Sequence, residues 1–256
     1  MLLVAIDAGN TNIVLGCLEG EQIRFTARVG TDRAKTEDEY ALIFRDLFAL
    51  HHIDLAEVGG AVISSVVSEL KDVLSQAVEL STGKVPLIVG AGVKTGLNIK
   101  IDNPAQLGSD LAVDAVAACA KYQKPILIFD MGTATTLSVI DGKGQFRGGM
   151  IMAGPRLAVD ALSSRTSQLP RIELDAPSAV IGRNTVDCMQ AGVIYGNAAM
   201  LDGVIDRVEE ALGEPIGTAV ATGGMAGRIV PYCKRQILCD DTLMLRGLQI
   251  IYEKNQ

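Results

Sequence analysis

Apolar residues come along this chain in short runs that stop at turn residues. Leu2–Ile6 is five apolar residues long and ends in Asp-Ala-Gly-Asn-Thr-Asn, a pattern that predicts a buried strand entering a tight turn. Ile13–Leu18 and Ile23–Val29 predict two more strands, with Glu19-Gly20-Glu21 as the turn between them. From Thr36 the period changes. Tyr40, Ile43, Phe44, Leu47 and Phe48 recur at helical spacing as far as His51, and Thr36 is placed to cap that helix. A strand is expected at Gly60–Ser65, a helix over Val66–Thr82 and a strand at Val85–Val89.

The second half repeats the opening. Pro125–Phe129 is an apolar run that stops at Asp-Met-Gly-Thr-Ala-Thr, Thr136–Ile140 returns, Asp141-Gly142-Lys143-Gly144 turns, and Gln145–Met152 is a third strand. Helices are expected at about Arg156–Leu162 and Cys188–Leu212. Thr218–Ala221 reads as a strand into Thr222-Gly223-Gly224, and a last helix is expected near Met244–Lys254. Two meanders that each open on a strand followed by Asp-x-Gly imply a duplicated α/β architecture. The expected halves are residues 1–107 and 108–256, with a helix at Gly108–Lys121 near the junction. No Gly/Ser-rich or Pro-rich linker marks the boundary.

Composition narrows the function classes. The 256 residues are 48% hydrophobic and 4% aromatic, with no Trp and a formal net charge of −7. Nucleic acid is an unsuitable partner for such a surface, whereas backbone N–H groups and Mg²⁺ allow an acidic protein to hold ATP. Cys17, Cys119, Cys188, Cys233 and Cys239 form no CxxC pair, so they are expected as small apolar residues in a reducing compartment. The start lacks a basic segment and its apolar run is too short for a signal or a span, so a cytoplasmic chain away from membranes is expected. The only histidines are His51 and His52 at a helix end, which excludes a Ser-His-Asp triad or a His-based metal site. Their expected role is to complement a helix C-terminus, and the acidic runs at 37–39 and 209–210 are expected on solvated helix faces.

The chemistry concentrates in a few turns. In Asp7-Ala8-Gly9-Asn10-Thr11-Asn12, Gly9 permits close approach of a phosphate, Thr11 and Asn12 offer polar groups to its oxygens, and Asp7 can hold Mg²⁺ directly or through water. An ordinary hairpin turn would use the same residue types. The turn at Asp130-Met131-Gly132-Thr133 is the same device again. Two such turns would clamp a polyphosphate, and phosphoryl transfer is mostly positioning and charge neutralisation. Gly223 and Gly224 follow a strand and suit an adenosine or its α-phosphate, or a plain strand-to-helix turn. No GxxxxGK[ST] loop exists. Asp110, at an expected helix start in Gly108-Ser109-Asp110, is the candidate to accept a hydroxyl proton, or else a first-turn helix acid. Asp114, one turn on, is expected on a solvated face.

These motifs resemble a known family. DAGNTN at 7–12, GSD at 108–110, DMGTATT at 130–136, GGMIMAG at 148–154, IGRNT at 181–185 and ATGG at 221–224 look like the type III pantothenate kinases, in the same order over the whole length. TDRAKTEDEY near the start, ISSVV at 63–67 and the tail LRGLQIIYEKN add to the likeness. The resemblance implies duplicated ribonuclease-H-like domains of the actin/hexokinase type, each a mixed sheet flanked by helices. It also implies ATP-dependent phosphorylation of pantothenate, the first step of coenzyme A synthesis, with Mg²⁺, a monovalent cation (K⁺ or NH₄⁺) and a homodimer. Carried over, Asp7, Ala8, Gly9, Asn10, Thr11, Asn12, Ile13 and Val14 form the first phosphate loop, Gly132, Thr133, Gly223 and Gly224 complete the ATP site, and Asp130 binds the monovalent cation. Asp110 is the proton acceptor, and Gly108, Ser109, Ile101, Leu111 and Thr185 line the acceptor side.

This chain departs from the family pattern at three positions. Leu111 stands where the family has an Arg that contacts pantothenate, Ile101 where it has a Tyr contact, and Ala153 where Pro is usual. Losing a charge-assisted contact costs about 1.5–3 kcal/mol, or roughly 10- to 150-fold in affinity; Lys100 and Arg156 are the candidates to replace it. Two alternatives stay open: a kinase-fold relative with a different acceptor, and a non-catalytic ATP-binding regulator.

Overall fold

The computed structural model describes residues 1–256. Strand-forming runs of the first half become β1 (Leu2–Ala8), β2 (Asn12–Glu19) and β3 (Gln22–Gly30), an antiparallel meander. The helical spacing that follows becomes α1 (Glu37–Leu50), capped as expected by Thr36, whose side chain accepts from the Glu39 amide while Glu39 reaches back to the cap. Strand β4 (Val58–Ser65) then pairs in parallel with β1, and α2 (Leu70–Thr82) leads to β5 (Leu87–Ile88), parallel to β4. Helix α2 begins four residues later than its apolar pattern, because the Ser65 hydroxyl bonds the Val67 amide and carbonyl and holds the strand exit in a turn.

The second half opens with the two-residue β6 (Asn98–Ile99) and α3 (Ser109–Lys121). The second meander follows as β7 (Ile126–Met131), β8 (Ala134–Ile140) and β9 (Gln145–Ala153), then α4 (Pro155–Arg165) and the long α5 (Thr185–Leu212). Strand β10 (Thr218–Thr222), the short α6 (Ala226–Ile229), β11 (Leu238–Cys239) and α7 (Leu243–Lys254) complete the chain.

The first sheet has the order β3-β2-β1-β4-β5. The second reads β9-β8-β7-β10-β11 with β6 added beside β9, so the same order recurs and the duplication implied by the turns is present in the connectivity. Both sheets are mixed, an antiparallel meander joined to parallel strands.

Contacts divide the chain into two units that are discontinuous in sequence. One comprises Met1–Gly96, Asn103–Ala117 and Leu243–Gln256; the other comprises Leu97–Asp102 and Ala118–Thr242. In the first unit, Leu2, Val4, Ile6 and Ala8 alternate onto a core with Tyr40, Phe44 and Phe48 of α1 and Leu70, Leu74 and Val78 of α2. Each fully buried aromatic or leucine here contributes roughly 1.5–3 kcal/mol. The other face of that sheet receives α7: Leu245 fills the space left by Gly16, and Tyr252 that left by Gly60. In the second unit, Leu127, Phe129 and Met131 pack with Val193, Ile194, Leu201 and Ile205 of α5.

Four expectations change. Asp114 is buried, 2% exposed, rather than on a solvated face. Cys188 and Cys239 are exposed, whereas Cys17 lies in the core. Glu209 is held by Arg235 at 2.7 Å and by the Ile216 amide. His51 stacks on Phe25 with ring centroids 4.2 Å apart, so its ring serves packing at the end of α1.

Candidate functional site

Both candidate turns sit at the carboxyl end of a central strand, the edge where ligands bind in open α/β sheets. In the first unit, the Gly9 amide donates to Asn12 O at 3.0 Å and closes the turn. The exit of β3 fastens it: the Thr31 amide donates to Thr11 O at 3.0 Å and the Thr31 hydroxyl to Gly9 O at 2.7 Å. Asn10, Thr11 and Asn12 are exposed and Asp7 is half-buried. Ala8 and Ile13 have no exposed side-chain surface, so of the expected loop residues these two offer a ligand only their backbone. Arg33 donates to the Asn10 carboxamide at 3.1 Å and puts a cation at the tip of the turn.

The same unit holds Asp110, in the first turn of α3. A Cβ on Gly108 would collide with Asp110 Oδ1, so the glycine makes room for the carboxylate. Burial pushes the Asp110 carboxyl above the usual carboxylate range, against the pull of the Leu111 and Asp110 amides at the helix start. Ser109 accepts a hydrogen bond from Ser64 at the end of β4, 3.0 Å long. In β1 and β4, Asp7 and Ser64 are register partners. The structure therefore brings Asp7, Ser64, Ser109 and Asp110 to one edge of one sheet.

In the second unit, Asp130 stands at the end of β7, in register with Thr222 of β10 and Thr136 of β8. Gly223 has φ +87°, and a Cβ there would collide with Asp130 Oδ1 and stand 2.8 Å from the Met131 backbone. The Met225 amide donates to Met131 O at 3.2 Å. The turn closes as in the first half: the Gly132 amide donates to Ala134 O at 3.0 Å, and the Gly154 amide to Thr133 O at 3.2 Å. Thr133 and Gly224 are exposed.

The residues expected on the acceptor side are distributed over both units. Gly108, Ser109 and Leu111 accompany Asp110, with Leu111 half-buried. Ile101 lies beside Gly148, whose missing side chain leaves a Cβ position 3.8 Å from Ile101 Cγ2, and the Lys100 amide ties this segment to Phe146 O at 2.8 Å. Thr185 opens α5 behind the Asn184 cap and lines a groove of about 690 Å³ with Ala158, Leu162, Gly182 and Arg183. Thr31 and Ser64 are the residues that sequence reasoning missed. The signal for Ser64 was a serine at the end of an otherwise apolar strand beside the Asp7 strand.

The donor chemistry can be set against the ions that a kinase uses. No group of three or more His, Cys, Asp or Glu forms a metal cage, and Asp7 with its hydroxyl-bearing turn is a hard-oxygen donor of the kind that holds Mg²⁺ through phosphate and water. Beside Asp130, the Thr136 hydroxyl is buried with no hydrogen-bond partner and shares its register position. A carboxylate and a hydroxyl oxygen there fit a hard cation. No helix is long and apolar enough to cross a membrane.

Comparison with known proteins shows the family and the fold. A type III pantothenate kinase from Moorella thermoacetica is 45% identical over 254 residues, covering 99% of this chain and 100% of the relative. Among solved structures, the activator of 2-hydroxyisocaproyl-CoA dehydratase from Clostridium difficile, with bound ADPNP, superposes with a TM-score of 0.57 at 13% identity over 98% of this chain and 94% of its own. A ROK family glucokinase from Streptomyces griseus, with glucose and AMPPNP, gives 0.50 at 15% identity over 100% and 99%. At these identities the two structures speak for the fold, which is of the actin/hexokinase type. The profile of the type III pantothenate kinases matches residues 3–207, and this chain belongs to that family.

Proposed function

We propose that this protein transfers the γ-phosphoryl group of ATP to pantothenate, giving 4′-phosphopantothenate for coenzyme A synthesis. The observation that carries the reading is Asp110: a half-buried carboxylate at a helix start, on the sheet edge that also bears Asp7 and the first phosphate-type turn. A raised proton affinity makes Asp110 a better base for a hydroxyl that loses its proton as the phosphoryl group arrives. Backbone amides of residues 7–14, with Thr11 and Asn12, are the phosphate-binding groups of the N-terminal domain, residues 1–107, and Gly132, Thr133, Gly223 and Gly224 are the ATP-binding residues of the C-terminal domain, residues 108–256. Asp7 is the ligand for Mg²⁺ and Asp130 for K⁺ or NH₄⁺, and these ions would neutralise charge on the transferring group. Gly108, Ser109, Ile101, Leu111 and Thr185 take the acceptor, within a cytoplasmic homodimer.

Leu111 and Ile101 favour a second reading, an altered acceptor, because neither side chain can donate a hydrogen bond to pantothenate. One assay separates the two. ADP release should depend on pantothenate and rise with K⁺, and Asp110→Asn should lose at least ~100-fold in kcat. ADP release that ignores millimolar pantothenate but answers another small alcohol would replace the first reading by the second.

A further inference from the structure

Ser64 is a hydroxyl at the end of an apolar strand, and its side chain has no exposed surface. Its register partner in β1 is Asp7, so both side chains leave the sheet on the face opposite Ile6, Ala8 and Ile63, which belong to the core with α1 and α2. On that face the Ser64 hydroxyl meets Ser109, 45 residues further along the chain and the first residue of α3. A buried hydroxyl is costly unless it is partnered, and this one is partnered by the residue next to Asp110. Side-chain packing gives no reason for the hydroxyl, since alanine would complete the strand as well. What the hydroxyl adds is a fixed link between the end of β4 and the start of α3.

We propose that Ser64 is a positioning residue for phosphoryl transfer, acting through Ser109 to hold the first turn of α3 so that Asp110 keeps its place at the Asp7 edge of the sheet. The inference rests on the reading of Asp110 as the proton acceptor. Two tethers define where this carboxylate stands: the absent side chain of Gly108, which clears its space, and the Ser64–Ser109 bond, which fixes the turn that carries it. General-base chemistry is sensitive to such placement, a 1 Å error costing on the order of 100-fold. The Ser64 hydroxyl donates to Ser109, whereas the phosphate turn is closed by bonds of its own, from Gly9 to Asn12 and from Thr31 to Thr11 and Gly9.

The test is steady-state kinetics on Ser64→Ala, Ser109→Ala, the double variant and Asp110→Asn, with pantothenate as acceptor and melting temperatures recorded alongside. Each serine variant should lower kcat by roughly 10- to 100-fold while KM for ATP stays within about twofold. Because both changes remove one and the same bond, the double variant should be no slower than either single. Losses that multiply, losses confined to KM, or two serine variants with normal kcat would overturn the proposal while leaving Asp110 in place if Asp110→Asn is inactive. An active Asp110→Asn would remove the proton-acceptor reading and this proposal with it. Should Ser64→Ala fail to fold, Ser64→Cys, which keeps the size and weakens the bond to Ser109, decides in its place: a normal kcat refutes the link, and a selective loss of kcat supports it.

Discussion

Gly223 sits at φ +87° with its Cα against the Asp130 carboxylate and the Met131 backbone. An L side chain is strained at that φ whatever its size, and a methyl here has no room either. Gly223→Ala should therefore lower stability by ~1–3 kcal/mol and raise KM for ATP, because the displaced groups are the Asp130 carboxylate and the turn beside it. Urea unfolding and ATP titration of kcat/KM check the two parts separately; unchanged nucleotide kinetics would detach Gly223 from the site. Asp110 makes the complementary point about a single residue. Its sequence context, a Gly-Ser-Asp at a helix start, marks it as a candidate, but a first-turn acid needs no function. Burial, visible only in the fold, is what raises its proton affinity.

At the level of elements, α3 is anchored at both ends by polar groups. Its start is joined to β4 through Ser109 and Ser64. At its end, Lys121 Nζ and Tyr122 Oη each lie 2.7 Å from Asp240 Oδ2, and the Thr242 amide and hydroxyl donate to Asp240 Oδ1. Burial alone would raise the Asp240 carboxyl, but the hydrogen bonds from Lys121, Thr242 and Tyr122 hold it down at about 2. The folded value is the lower one, so the stabilisation is fully present above the ordinary carboxylate pKa of ~3.9 and disappears as pH falls towards 2. Lys121 is half-exposed, which discounts the pair by screening. Asp240→Ala should cost roughly 1–2 kcal/mol at pH 7, and the gap between variant and parent should shrink between pH 4 and 2. Melting curves over that range decide it: a gap that stays constant would mean that Asp240 acts by packing.

These elements also show what a sequence can disclose. The meanders, the capped α1 and the two Asp-x-Gly turns are legible because apolar period, Gly and Asp are local signals. Strands β6 and β11 are not, since two residues at a sheet edge carry no period. Asp114 is misplaced by its sequence context because a charged residue at helical spacing gives no sign that its face is covered. Ser64 and Thr31 escape a reading of the sequence because their roles depend on partners 45 and 22 residues away.

For the whole molecule, both halves keep one strand order and one way of tying a turn to the exit of the third strand, Thr31 in the first and Gly154 in the second. A protein with this purpose should be stabilised by its nucleotide. At 100 times its dissociation constant, ATP with Mg²⁺ adds about 2.7 kcal/mol, a rise in melting temperature of about 5–10 °C for a chain of this size. A flat melting temperature across that titration would speak against nucleotide binding.

Helix α7 has a consequence for how the chain comes to be. Leu243–Lys254 covers the second face of the sheet that begins at Leu2, with Leu245 seated at Gly16 and Tyr252 at Gly60. During synthesis, which proceeds from the N-terminus, β1 and β4 must therefore wait with one apolar side open to water until this late segment leaves the ribosome. The part of the protein made first is among the last to be finished, and a ribosome stalled short of Leu243 would leave an N-terminal region suited to chaperones rather than to catalysis.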